Sequence, residues 1–130
     1  MSRLLRGARR CTNEKDLQCL LLNSPPPPYT YFVAQEWPVA SPFTNLGVGD
    51  LVFKRPKVYE YLVVEVKHLG KGNRKKGRKK VVEQAHFYGL KWKERHPRAS
   101  VKFATFTNES GLKILGDIEV GNGVNCNRRG

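Results

Sequence analysis

Residues 61–68 read YLVVEVKH, an apolar run that closes at Gly70. Its length and β-branched content suit a central strand covered on both faces, yet a glutamate and a lysine interrupt it. Side chains alternate along a strand, so Glu65 and Lys67 share a face with Tyr61 and Val63, while Leu62, Val64 and Val66 point the other way. An ionised carboxylate in such a place is costly unless it is paired or holds a metal. One account is a Glu–Lys pair near a strand end, common on sheet surfaces. The other is an active site.

The rest of the chain supplies the layers around this strand. Thr12 or Asn13 caps a helix expected to run to about Leu22. The prolines of SPPPP at 24–28 break it and form a stiff extended spacer. YTYFVAQEWPV and GVGDLVFK read as two strands before the 61–68 run. A glycine-studded basic loop, 70–80, follows that run. In VVEQAHFYGLKWKERH the period changes, and Val81, Ala85, Tyr88 and Trp92 fall on one helical stripe that Pro97 ends. SVKFATFT is a fourth strand, and GLKIL a short element of undecided type. The expected fold is α/β, a central mixed sheet flanked by helices. The organisation expected is a basic N-terminal arm over 1–11, a single domain over 12–115 and a frayed tail over 116–130.

Only RPKVYE separates the second and third strands, so an antiparallel hairpin is the economical connection. A four-residue loop from Pro56 to Tyr59 pairs Arg55 with Glu60, then Lys54 with Tyr61, and finally Asp50 with Glu65. Opposed residues share a face with Cβ atoms roughly 5 Å apart. Two carboxylates so placed either raise a pKa or bind a cation. A small hard cation such as magnesium takes oxygen ligands of this kind, and metal-bound water is a nucleophile. Lys67 stands ready to orient that water or to neutralise charge in the transition state. Taken alone, Asp50 after Gly49 is an ordinary turn residue.

The chain carries a net charge of +13, which points to a polyanionic partner, most simply nucleic acid. Seven of the ten residues in KGNRKKGRKK, 71–80, are cationic: Lys71, Arg74, Lys75, Lys76, Arg78, Lys79 and Lys80. They are the expected phosphate contacts, supplying affinity without sequence readout. A solvated charge run is the simpler account, and the same run would serve as a nuclear localisation signal. Gly72 and Gly77 have phosphate-loop spacing, but Arg78 and Lys79 follow where Lys-Ser or Lys-Thr is needed, which rejects nucleotide hydrolysis. Cys11, Cys19 and Cys126 form no close pair, and the odd number fits a reducing, intracellular compartment. No apolar run approaches the roughly 20 residues of a membrane span. The acid-free start MSRLLRGARR has the composition of an organelle transit peptide but is short, and is read as a basic arm.

Together these residues resemble the PD-(D/E)XK nuclease superfamily, including its RecB-like, VRR-NUC-like and small viral members. Asp50 in GVGDLVF is similar to its first acid, Glu65-Val66-Lys67 to its E-x-K element, and Gln84 with Tyr88 to the Q-x-x-x-Y element. Gly49 stands where the family's proline would, and the cysteine cluster of some RecB-like members is absent. The resemblance implies a restriction-endonuclease-like core and magnesium, replaceable by manganese, held by Asp50, Glu65 and the Val66 carbonyl. It also implies Lys67 as the catalytic lysine and Gln84 projecting towards the site. Glu14 is the candidate for a further glutamate from the first helix, with Glu36 competing. The function implied is metal-dependent hydrolysis of nucleic acid, DNA in the first instance, with no membrane and a homodimer left open. The alternative is a non-catalytic basic protein, ribosome-associated, packaging or a degenerate nuclease fold.

Overall fold

The computed structural model describes residues 3–39, 50–72 and 74–119. It contains α1 (Arg3–Arg10), α2 (Glu14–Asn23), β1 (Tyr31–Gln35), β2 (Leu51–Lys54), β3 (Glu60–Lys67), α3 (Arg74–Arg95), β4 (Ser100–Thr107) and β5 (Gly111–Asp117). The five strands form one sheet in the order β1-β2-β3-β4-β5. Only β3 and β4 run parallel, and α3 makes the crossover that a parallel pair requires. The chain is therefore α/β, with a mixed sheet between two helical layers.

The alternation of β3 decides what each layer covers. Leu62, Val64 and Val66 join Leu51, Phe53, Ala104 and Phe106 beneath Ala8 of α1 and Leu17 and Leu21 of α2. On the opposite face, Val63 and Tyr61 join Val52 and Val101 beneath Tyr88 and Trp92 of α3. Asn13 caps α2, its side chain accepting from the Asp16 amide at 2.8 Å. The hairpin register is the expected one: Lys54 pairs with Tyr61, and Arg55 N–H donates to the Glu60 carbonyl at 3.1 Å.

Three expectations need correction. The basic arm is largely helix α1, docked on α2 and β5 with Ala8 fully buried, so residues 3–10 belong to the domain. The stretch expected as a basic loop is mostly helix, because α3 begins at Arg74, seven residues before Val81. Lysine and arginine are good helix formers, and only Gly77 opposes them, by about 1 kcal/mol relative to alanine. That glycine lets Leu69 approach, since a Cβ there would stand 3.0 Å from Leu69 Cδ2. The Glu109 carboxylate relieves the charge of the first turns: Arg74 and Arg78 reach it at 3.3 and 2.9 Å. Finally, GLKIL belongs to β5, which continues through Asp117, and Ile118 is buried against the α3 layer. The domain thus extends beyond residue 115, and the expected tail from 120 onward lies outside the described residues.

Candidate active site

The C-terminal end of β3 is where the charged residues meet. Asp50 precedes β2, and the last paired residues, Leu51 and Val64, carry the register on to Asp50 opposite Glu65. Beyond that last pair, the Val66 amide donates to Asp50 Oδ2 at 3.0 Å. Gln18, one helical turn after Glu14 on α2, donates its side-chain amide to Asp50 Oδ1. The carboxylate is therefore oriented from two sides, by a strand and by a helix. Each oxygen keeps a lone pair for another partner.

Glu65 is 8% exposed, between the α3 layer and the strand end. Burial pushes its pKa well above the ordinary 4.5, with the charges of Asp50 and then Glu14 adding to the rise and Lys67 opposing it. Burial likewise lifts Asp50 from 3.8 to about 6, against the hydrogen bonds from Gln18 and Val66 and with help from Glu14 and Glu36. The two acids repel one another in a desolvated place, which a shared proton or a cation would relieve.

Lys67 does not supply that relief as Glu65's ion-pair partner. Its Nζ lies 3.9 Å from Glu14 Oε1, and among the described residues Glu14 is its one ion-pair partner. Both side chains are about half exposed, so the ammonium stands at the mouth of the site, with the acids behind it. Glu14, expected only as a candidate, is thus brought to the cluster by the capped first turn of α2. Glu36 is also near, since its amide donates to the Asp50 carbonyl at 2.8 Å and its charge acts on Asp50.

Gln84 and Tyr88 are buried on the inward stripe of α3, which packs on β3 and β4, the side of the sheet to which Glu65 belongs. Two buried threonines escaped the sequence reading. Thr105 pairs with Glu65 and Thr107 with Lys67 across the parallel β3–β4 register. Gln18 was missed as well, although its spacing of four from Glu14 was a usable signal. Of the basic run, Lys71, Lys75, Lys76, Arg78, Lys79 and Lys80 are exposed and Arg74 is half-buried, and Arg74 and Arg78 hold Glu109. The His68 ring nitrogen Nε2 lies 3.1 Å from the Cys11 carbonyl.

Among the described residues, no group of three or more histidine, cysteine, aspartate or glutamate side chains is gathered as a metal cage. The donor set is a pair, Asp50 and Glu65. Two desolvated carboxylates with free lone pairs fit an oxygen-preferring divalent ion that takes its remaining ligands from backbone, water or substrate phosphate. No helix among the described residues is long and apolar enough to cross a membrane. No protein-family model matches the chain, and no curated protein or solved structure matches it significantly.

Proposed function

We propose that this chain is a magnesium-dependent nuclease with a restriction-endonuclease-like core, hydrolysing phosphodiester bonds of nucleic acid, DNA in the first instance. The observation that carries the reading is the meeting of Asp50 and Glu65, both with raised pKa, beside the Lys67 ammonium in a chain of net charge +13. Buried neighbouring acids cost stability, and groups perturbed in this way cluster at functional sites. Asp50 and Glu65, with the Val66 carbonyl, would hold the metal. When bound, magnesium polarises a phosphate oxygen and lowers the pKa of a coordinated water.

The chain's own groups then have separate tasks. Gln18 and the Val66 amide fix the plane of the Asp50 carboxylate. Glu14 holds the Lys67 ammonium at the mouth, where it orients the attacking water and offsets charge on the phosphate. Gln84 is the polar group that α3 contributes on the same side of the sheet.

The test is cleavage of linear, circular, branched and single-stranded DNA, and of RNA, in magnesium or manganese. Wild type should cut at least one of these, and Asp50→Ala and Glu65→Ala should abolish cleavage while leaving binding largely intact. Wild-type rates in either variant would sink the site assignment. A chain that binds these substrates and cuts none of them would be the non-catalytic binding protein instead.

A further inference from the structure

We infer that helix α1 and the first half of α3 form one bipartite surface for a nucleic-acid phosphate backbone, bracketing the mouth of the site from opposite faces of the sheet. The inference takes its partner from the proposed function but does not depend on cleavage.

Both helices reach the same end of the sheet. The chain leaves α1 through Cys11, whose carbonyl lies 3.1 Å from His68 Nε2, immediately after Lys67. Leu5 of α1 packs on Gly111, its Cδ1 3.1 Å from where a Cβ would stand. Gly111 closes the β4–β5 turn whose Glu109 grips Arg74 and Arg78 at the start of α3. Asn108 of that turn exchanges hydrogen bonds with Leu69 N–H and C=O, at 2.7 and 3.1 Å. The turn is therefore a shared footing, with α1 over one face and α3 over the other.

These helices concentrate cations, whereas several cations elsewhere are paired with acids. Arg55 meets Glu60, Lys102 meets Asp117 and Lys91 meets Glu94, at the far end of the sheet or late in α3. By contrast, α1 has the sequence RLLRGARR with no acid, and Arg6 and Arg10 are exposed one turn apart. On α3, Lys75 and Lys79 repeat that spacing, and Lys80 adds to them, all exposed. Like charges at this spacing each destabilise a helix by about 0.2–0.5 kcal/mol. A polyanion laid across both helices turns that repulsion into attraction. Large exposed aromatics, which single-strand binders use for stacking, are Tyr31, Phe32 and Tyr59 among the described residues, on β1 and beside the β2–β3 turn. The bracketing surface thus offers charge without stacking, which suits backbone contact.

The experiment is fluorescence anisotropy of the full chain with a short fluorescein-labelled DNA duplex and a matched RNA duplex, in EDTA, over a series of salt concentrations. Arg6→Gln/Arg10→Gln and Lys75→Gln/Lys79→Gln should each lower the log–log salt slope by about 1.8, from about 0.9 per lost phosphate contact. Arg6→Lys/Arg10→Lys should restore the slope, and melting curves should show all variants folded. An unchanged slope in Arg6→Gln/Arg10→Gln, with a reduced one in the α3 variant, would overturn the bipartite surface. Failure of wild type to bind either duplex would overturn it as well. Binding as expected without cleavage in magnesium would remove the nuclease reading and leave this surface standing.

Discussion

The Asp50→Asn substitution should make the metal-free protein more stable. Folding raises the Asp50 pKa from 3.8 to about 6, chiefly by burial, so the folded state holds this proton more tightly than the unfolded chain does. The sign follows directly: the cost of ionising Asp50 is absent below pH 3.8, grows as pH rises and is complete above about 6. A rise of this size corresponds to about 3 kcal/mol. Because Asp50 and Glu65 titrate together, that energy belongs to the pair, and about 3 kcal/mol is the ceiling for removing one charge. The asparagine oxygen can still accept from Val66 N–H, and its amide can donate to Gln18 once the Gln18 amide turns over, so no buried polar group is orphaned. At roughly 4 °C per kcal/mol, the variant should melt up to about 12 °C above wild type at pH 7 in EDTA. The advantage should shrink towards pH 4. Magnesium should cancel most or all of it, since an ion at about 100 times its Kd stabilises wild type by about 2.7 kcal/mol and the variant far less. Thermal and urea unfolding of both proteins, with EDTA or magnesium, at pH 4 and 7, measure all of this. Equal stability in EDTA at pH 7, or equal gains from magnesium, would refute the reasoning.

Lys67→Ala should reduce single-turnover cleavage about 100-fold or more while leaving magnesium affinity by calorimetry near wild type, since a protonated amine orients and neutralises but does not ligate; Glu65→Gln should lose both. Gly89→Val should destabilise the fold by about 1–3 kcal/mol in urea, because even a Cβ there would stand 2.9 Å from Ile118 Cδ1 and 3.1 Å from Phe103 Cβ. Glu109→Gln should strengthen duplex binding and steepen its salt dependence, because Arg74 and Arg78 lose their anionic partner and become available to phosphate; weaker binding would show that Glu109 matters more for ordering the start of α3.

Sequence reading reached the β2–β3 hairpin because its loop is short and the strands flank it symmetrically. The pairing of Lys54 with Tyr61 followed from counting outward, and with it the approach of Asp50 to Glu65. Helix α1 was hard to read: Leu4, Ala8 and Cys11 do fall at i, i+4 and i+7 and pack on the core, but that stripe is short and the helix has only eight residues, four of them arginines. The early start of α3 was hidden by seven cations and two glycines in ten residues. Part of that charge is offset by Glu109, 31 residues after Arg78, brought there by the β4–β5 turn. Thr105 and Thr107 were invisible for the same reason, since each meets the site only through a parallel register, whereas Gln18 carried only the weak signal of its spacing from Glu14.

The opening ambiguity of YLVVEVKH turns on where Lys67 points. Were it the partner of Glu65, the pair would need no further account, and at an exposed strand end it would contribute at most about 1 kcal/mol. Instead the lysine reaches outward to Glu14, and the carboxylate stays behind it with another acid for a neighbour. The components come from separate parts of the chain: Glu14 and Gln18 from α2, Asp50 at the start of β2, Glu65 and Lys67 from β3. A chance of local sequence would not hold a buried like-charged pair together across such distances in the chain, with Asp50 oriented by two hydrogen-bond donors. The pair therefore requires either a proton or a metal, and the two leave different traces. A shared proton makes Asp50→Asn stabilising with or without magnesium; a held metal makes it stabilising only in EDTA.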